Sequence, residues 1–186
     1  MSAGRARLQV LAAALLFSTG GAGIKVAAFS GLQVSALRSG IAAIALLVFV
    51  RGRIVWSLQV VLAGIVYAAT QTLFVLSTKL TTAANAIFLQ STAPLYLLML
   101  GPLVLSEHFK RRDVIYLLAV ALGMFSCFMG RPDATVTAPD PGHGNLLALM
   151  CSITWALTLV ALRYVGRDHS RPGLGMSAVA AGNLFA

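Results

Sequence analysis

IVWSLQVVLAGIVYAATQTLFVLSTKLTTAANAIFLQSTAPLYLLMLGPLVLS, residues 54–106, carries a single formal charge, Lys79. About 20 consecutive apolar residues match the roughly 30 Å hydrocarbon core of a bilayer. Ile54–Thr78 and Leu80–Ser106 are each long enough to cross it, and a further apolar run, Leu8–Ile24, opens the chain. With 59% of 186 residues hydrophobic and only 10% charged, such runs cannot be accommodated in a water-soluble domain. They are continuous rather than alternating with period two, which selects helices over a porin-like barrel. The sequence therefore predicts an all-α integral membrane protein.

Working outward from this stretch, spans are expected at Leu8–Phe29, Gln33–Val50, Leu58–Thr78, Thr82–Leu105, Val114–Gly130 and Asn145–Tyr164. These make about six complete transmembrane helices, and a seventh begins near Gly173 and is cut off at Ala186. The short intervals between them hold the turn-forming and charged residues. The first run is an uncleaved helix rather than a signal peptide, because Lys25 interrupts its far end and further spans follow at once.

The formal charge of +9 is distributed by loop, not gathered into a patch for nucleic acid. With a cytoplasmic N-terminus, Arg5, Arg7, Arg51, Arg53, Lys110, Arg111, Arg112, Arg163, Arg167 and Arg171 fall on the inner side. Only Lys79 and Arg131 fall in the outer loops. This is the positive-inside pattern of a multi-pass protein of the cell's inner (plasma) membrane, and its electrostatic partner is the anionic inner leaflet. Cys127 and Cys151 lie within predicted spans and imply no disulfide framework.

An internal match suggests a repeat. Phe17 stands eight positions before Lys25, as Trp155 stands eight positions before Arg163, and Ser35–Gly40 overlies Ser177–Gly182. The offset is five helices, an odd number, so the second copy enters the membrane from the opposite side. That is the arrangement of inverted-repeat carriers, in which substrate sites form near the midplane at interrupted helices. On this reading residues 5–131 form a first five-helix repeat and residues 142–186 the start of a second, truncated one. The chain then reads as a fragment.

The residues from the fourth span onward carry a family resemblance. Thr82-Ala83-Ala84-Asn85-Ala86-Ile87-Phe88-Leu89 leads to Ala93-Pro94-Leu95, then to Leu105-Ser106-Glu107, and on through Asp113–Gly123 to Gly130. Supporting matches are Ala36-Leu37-Arg38 in the second helix, and Gly144 and Trp155-Ala156 in the sixth. The pattern resembles the EamA-type members of the drug/metabolite transporter superfamily. The chain departs from that pattern at Ser30-Gly31-Leu32-Gln33, where an acidic residue and a proline are usual, and at Leu-Ser-Glu in place of Leu-Gly-Glu. The resemblance implies a ten-helix bundle of two inverted halves that moves small polar metabolites, such as amino acids or their derivatives. It implies no cofactor.

Lys25 and Arg38 are the formal charges placed within spans. A charge in hydrocarbon is costly unless it faces a cavity or snorkels to the headgroups. Both therefore admit a snorkelling reading and a functional one, an anion-attracting vestibule for substrate; Arg38 lies deeper and favours the second. Tyr67, Gln71, Phe74 and Thr78 share one helical face, as do Asn85, Leu89, Thr92 and Tyr96. Polar groups on such stripes serve interhelical hydrogen bonding or substrate contact, and Gln71 and Asn85 are the foremost candidates for contact. Tyr67 and Trp155 are expected to line the path, with Trp155 also eligible as a packing anchor. Pro94 removes a backbone hydrogen bond to Gln90, predicting a kink or local opening that is either a hinge or purely structural, and Gln90 either satisfies its own freed neighbourhood or meets a ligand.

Absences narrow the class. Glu107, Asp113, Asp133, Asp140 and Asp168 all fall in loops or at helix ends, so no span carries a carboxylate for proton or cation coupling. His108, His143 and His169 are scattered through loops without metal-ligand spacing. No catalytic constellation or phosphate-binding loop is visible, so an enzyme is not expected. The rivals to a secondary carrier are a half-carrier acting as a dual-topology homodimer, which the charge bias opposes, and a membrane scaffold or subunit without transport.

Overall fold

Each of the long helices after the first begins where a side-chain oxygen can receive its free amide groups. Ser30 accepts from the Gln33 N–H at 3.3 Å, while the Gln33 side chain accepts from the Ser30 N–H at 3.0 Å, a reciprocal capping box. Ser57 caps the third helix through the Val60 N–H, and Asp140 caps the sixth through the His143 N–H, with Pro141 in the first turn. The computed structural model describes residues 3–100, 114–115, 118–119, 121–123, 134–167 and 173–186. Its named helices are α1 (Ala3–Val26), α2 (Gly31–Phe49), α3 (Leu58–Leu80), α4 (Ala83–Gln90), α5 (Ala93–Leu100), α6 (Pro141–Gly166) and α7 (Leu174–Phe185). No strand occurs among the described residues, where Thr135 and Ala138 form one isolated antiparallel bridge.

Three of these helices, α2, α3 and α6, are long and apolar enough to cross a membrane. Outward-facing Leu37, Ile41, Ile44 and Val48 run at helical spacing along α2, and Leu8, Leu11 and Leu15 along α1. A protein in water would bury such stripes; one in lipid has no reason to. The predicted fifth span, Val114–Gly130, lies largely outside the described residues, as do Glu107, Asp113, Cys127, Asp133, Asp168, His108 and His169.

The third helix is central, packing most extensively on α6, then on α7, α2, α4 and α1. At its start Val60 and Ala63 join Val165 of α6 and Leu174, Ala178 and Ala181 of α7 in one buried cluster. Near its other end Val75 joins Ile24 of α1 and Val34 of α2 in a second. Thus α1 runs in the same sense as α3, whereas α6 runs against both. Close approach depends on small residues, as expected where lipid supplies no hydrophobic drive between helices. A Cβ on Gly144 would stand 2.5 Å from the Thr81 backbone nitrogen, and one on Gly182 would stand 2.9 Å from the Gly64 carbonyl oxygen and 2.6 Å from the Tyr67 ring.

One boundary differs from expectation. The first helix ends at Val26 rather than Phe29, because the chain must turn before the Ser30 cap of α2. The fourth span opens beside Pro94, as expected, since α4 stops at Gln90 and α5 starts at Ala93. At the interruption the hydroxyls of Ser91 and Thr92 donate to the carbonyl oxygens of Ile87 and Leu89 at 2.8 and 2.7 Å. The break therefore keeps part of its backbone satisfied, which membrane depth requires.

Candidate substrate-binding site

The polar side chains of the bundle divide into two groups. In the first, each finds a protein partner: Thr70 with Thr158 at 3.1 Å, Thr81 with the Asn145 side chain at 2.8 Å, and Cys151 with the Thr70 carbonyl at 3.4 Å. Ser77 and Thr78 donate to the Phe74 carbonyl one turn back. These bonds tie α3 to α6 and relieve buried polar atoms, an architectural role.

The second group is half-buried and makes no side-chain hydrogen bond among the described residues. It comprises Tyr67 and Gln71 on α3, Asn85 and Gln90 on α4, and Trp155 on α6. A half-buried amide, phenol or indole without a protein partner needs water or a ligand at the depth of a span. Thr78, on the predicted stripe with Tyr67 and Gln71, belongs instead to the paired group.

Arg38 stands on α2, two turns below the Ser30 cap. Its guanidinium lies over the Phe74 ring, 5.8 Å from the centroid, and interacts electrostatically with Tyr67. A cation–π contact of this kind favours the guanidinium over the ring face without using its N–H donors. One terminal nitrogen is sequestered from solvent and has no acceptor among the described residues. Arg38 also lines a pocket of about 350 Å³ with Ala27, Phe29, Val34, Leu37 and Ile41. Tyr67 also packs closely on α7, where a Cβ on Gly182 would stand 2.6 Å from its ring.

Lys25 is placed elsewhere. Its ammonium donates to the Thr81 carbonyl at 2.5 Å, to the Lys79 carbonyl at 3.4 Å and to the Thr137 carbonyl. It thus sits on the C-terminal end of α3, where unsatisfied carbonyls and the helix dipole favour a cation. Sequence reasoning missed this cluster, because Thr137 comes from a loop 112 residues further along the chain. It also missed Phe74 as the support of Arg38, although Phe74 lay on the predicted stripe.

Pro94 occupies the second position of α5, four residues beyond the end of α4. Gln90 ends α4, so the predicted hinge and its freed carbonyl flank the interruption. No hydrogen bond, ion pair or ring contact among the described residues joins Asn85, Gln90 or Trp155 to the Arg38 group. Nor do those residues contain a cluster of acidic, histidine or cysteine side chains able to hold a metal.

A model of the EamA-like transporter family matches residues 5–129. No curated protein and no solved structure matches the chain.

Proposed function

The chain belongs to the EamA-like transporter family, and on that premise we propose that it is a secondary carrier of small polar metabolites, such as amino acids or their derivatives. The chain is a multi-pass membrane protein. On our reading it resides in the inner membrane with a cytoplasmic N-terminus and works by alternating access between inverted halves. The opposed senses of α1 and α6 support the inverted arrangement, and the interruption between α4 and α5 supports a pliable point at Pro94.

The observation that carries the reading is the buried guanidinium nitrogen of Arg38, which has no acceptor among the described residues. A sequestered cationic donor is expensive to leave unmatched, and a substrate carboxylate or phosphate would satisfy it. Phe74 positions Arg38, while Tyr67, Gln71, Asn85, Gln90 and Trp155 line the path. Lys25 adds positive charge at the mouth while remaining bonded to helix-end carbonyls.

The test is uptake of labelled metabolites by liposomes holding the full-length protein. Arg38→Ala should abolish transport while leaving membrane insertion intact; wild-type transport by that variant would overturn the assignment.

A further inference from the structure

Two seams hold α3 at the end where it finishes, and they differ in kind. The seam with α6 is buried. There the Thr81 hydroxyl donates to the Asn145 side chain at 2.8 Å, Gly144 lies against the Thr81 backbone, and the Asp140 N–H donates to the Leu80 carbonyl at 3.1 Å. The seam with α1 is held by two half-buried ammoniums. Lys79 reaches the Ala27 carbonyl just past α1 at 2.6 Å, and Lys25 reaches back to the Lys79, Thr81 and Thr137 carbonyls. Next to this clasp Ile24 of α1 packs with Val75 of α3 and Val34 of α2.

The two seams open at different cost. Both ammoniums are accessible to solvent, so water takes over their bonds and the released carbonyls as α1 and α3 part. Parting also relieves repulsion between two like charges, neither of which pairs with a carboxylate among the described residues. Opening the seam of α3 and α6 has no such compensation, because it breaks backbone-close packing together with buried bonds. Lys25 bonds both the end of α3 and the loop into α6, so one side chain closes α1 over that fixed seam.

We propose that the clasp of Lys25 and Lys79 is the gate of the carrier at this end. Made, it lays the end of α1 across the seam of α3 and α6 and shuts the end; broken, it frees α1 to withdraw from α3. Val75, Gln71 and Tyr67 stand at spacings of four along α3 and share one face. A molecule that passes Val75 therefore meets Gln71 and then Tyr67. This rests on the carrier reading and supplies its moving part: α3 and α6 stay together while α1 opens one end of the site, as alternating access requires.

The test uses the full-length protein in liposomes. Val75→Cys puts a thiol at a fully buried position beside the clasp, and Ala148→Cys puts one at a fully buried position of α6, one turn past Gly144. A water-soluble maleimide should label Val75→Cys slowly, and at least about tenfold faster once Lys25→Met is added, the factor that goes with losing one bond to a charged group. Ala148→Cys should stay protected with or without Lys25→Met. An equal rise at the two positions would show general loosening and overturn the proposal, as would no rise at Val75→Cys. In a second arm Ile24→Cys/Val75→Cys is joined by a short bifunctional thiol reagent that reduction removes, with the native protein and its Cys127 and Cys151 as the control for the reagent. Uptake of labelled metabolites should stop on joining and return on reduction. Undiminished uptake by the joined protein would overturn the gate and leave the carrier reading standing. If the native protein carries nothing in the same liposomes, the carrier reading falls and the gate falls with it, whatever the labelling shows.

Discussion

Lys25 and Lys79 cap each other's helices. The Lys79 ammonium donates to the Ala27 carbonyl just past the end of α1 at 2.6 Å, while the Lys25 ammonium donates to the Lys79 and Thr81 carbonyls at the end of α3. Each cation serves the partner helix, so the two ends are fixed together although the charges repel. Because Lys25 also holds the Thr137 carbonyl, the loop leading into α6 is drawn into the same knot. Lys25→Met should lower stability by about 1 to 3 kcal/mol, the range for hydrogen bonds to charged groups. The Lys25→Met/Lys79→Met double variant should lose less than the sum of the singles, because each removes the other's reason for order. Thermal unfolding in detergent measures both, and strict additivity would show the two caps to be independent.

Gly144 sets the distance between α3 and α6. A methyl group there would meet the Thr81 backbone, with its nitrogen at 2.5 Å and the Leu80 carbonyl carbon at 2.8 Å. Backbone cannot rotate away as a flexible side chain can, so Gly144→Ala should cost about 1 to 3 kcal/mol by overpacking. The nearby Thr81–Asn145 bond should break with it. By contrast Gly166→Ala, where an added carbon meets nothing within 4 Å, should leave the unfolding midpoint unchanged or raise it.

The elements legible in the sequence were those determined by local chemistry. The helices α2, α3 and α6 follow from continuous apolar runs, and α2 and α3 start at Ser30 and Ser57, where a hydroxyl can cap. Pro94 announces a disturbance, and the interruption falls just before it at Ser91–Thr92, whose hydroxyls donate to the Ile87 and Leu89 carbonyls. Helical spacing and polarity single out Tyr67, Gln71 and Asn85 as candidates, and the place of Gln90 four residues before Pro94 singles out that one. What separates them from Thr78 or Thr70 is whether another helix supplies a partner, and that depends on tertiary placement. Lys25 makes the same point, since a charge near a helix end reads as snorkelling until the chain returns at Thr137.

Acid should loosen the start of α6. The His143 backbone N–H, followed by its ring, holds the Asp140 carboxyl below its ordinary value of 3.8. A carboxyl depressed in the folded state adds stability that is fully present above the unfolded value and disappears as pH falls through the folded one. The cap should therefore contribute above roughly pH 4 and fade below it. Asp140→Ala should unfold earlier than the native protein at neutral pH and converge with it in acid. Unfolding midpoints across that range test this, and a constant gap would assign the effect to packing at Pro141 instead.

Pro94→Ala should knit α4 and α5 together. An alanine N–H at this position can donate to the Gln90 carbonyl and relieves the ring's crowding, a change of up to about 3 kcal/mol when a proline leaves a helix interior. Amide hydrogen exchange over residues 90–96 should slow. If the interruption is the pliable point of alternating access, kcat for uptake should fall with KM little altered. Unchanged turnover with a straightened helix would make the break purely structural.

Arg38 offers the sharpest separation of function from stability. A structural cation is paired, and removing it exposes its partner, which costs stability. Arg38 instead has a sequestered nitrogen with no acceptor among the described residues, so Arg38→Met replaces an unmet donor with an apolar side chain over Phe74 and should leave the unfolding midpoint unchanged or raise it. The same substitution should erase stabilisation by substrate, which at a hundred times Kd amounts to about 2.7 kcal/mol. Arg38→Lys keeps the charge over Phe74, where the guanidinium carbon lies 5.8 Å from the ring centroid, but not the planar fork for a carboxylate, so it should recover little of the binding. A variant that loses binding while folding as well as the native chain places Arg38 on the substrate. One that unfolds early places it in the scaffold.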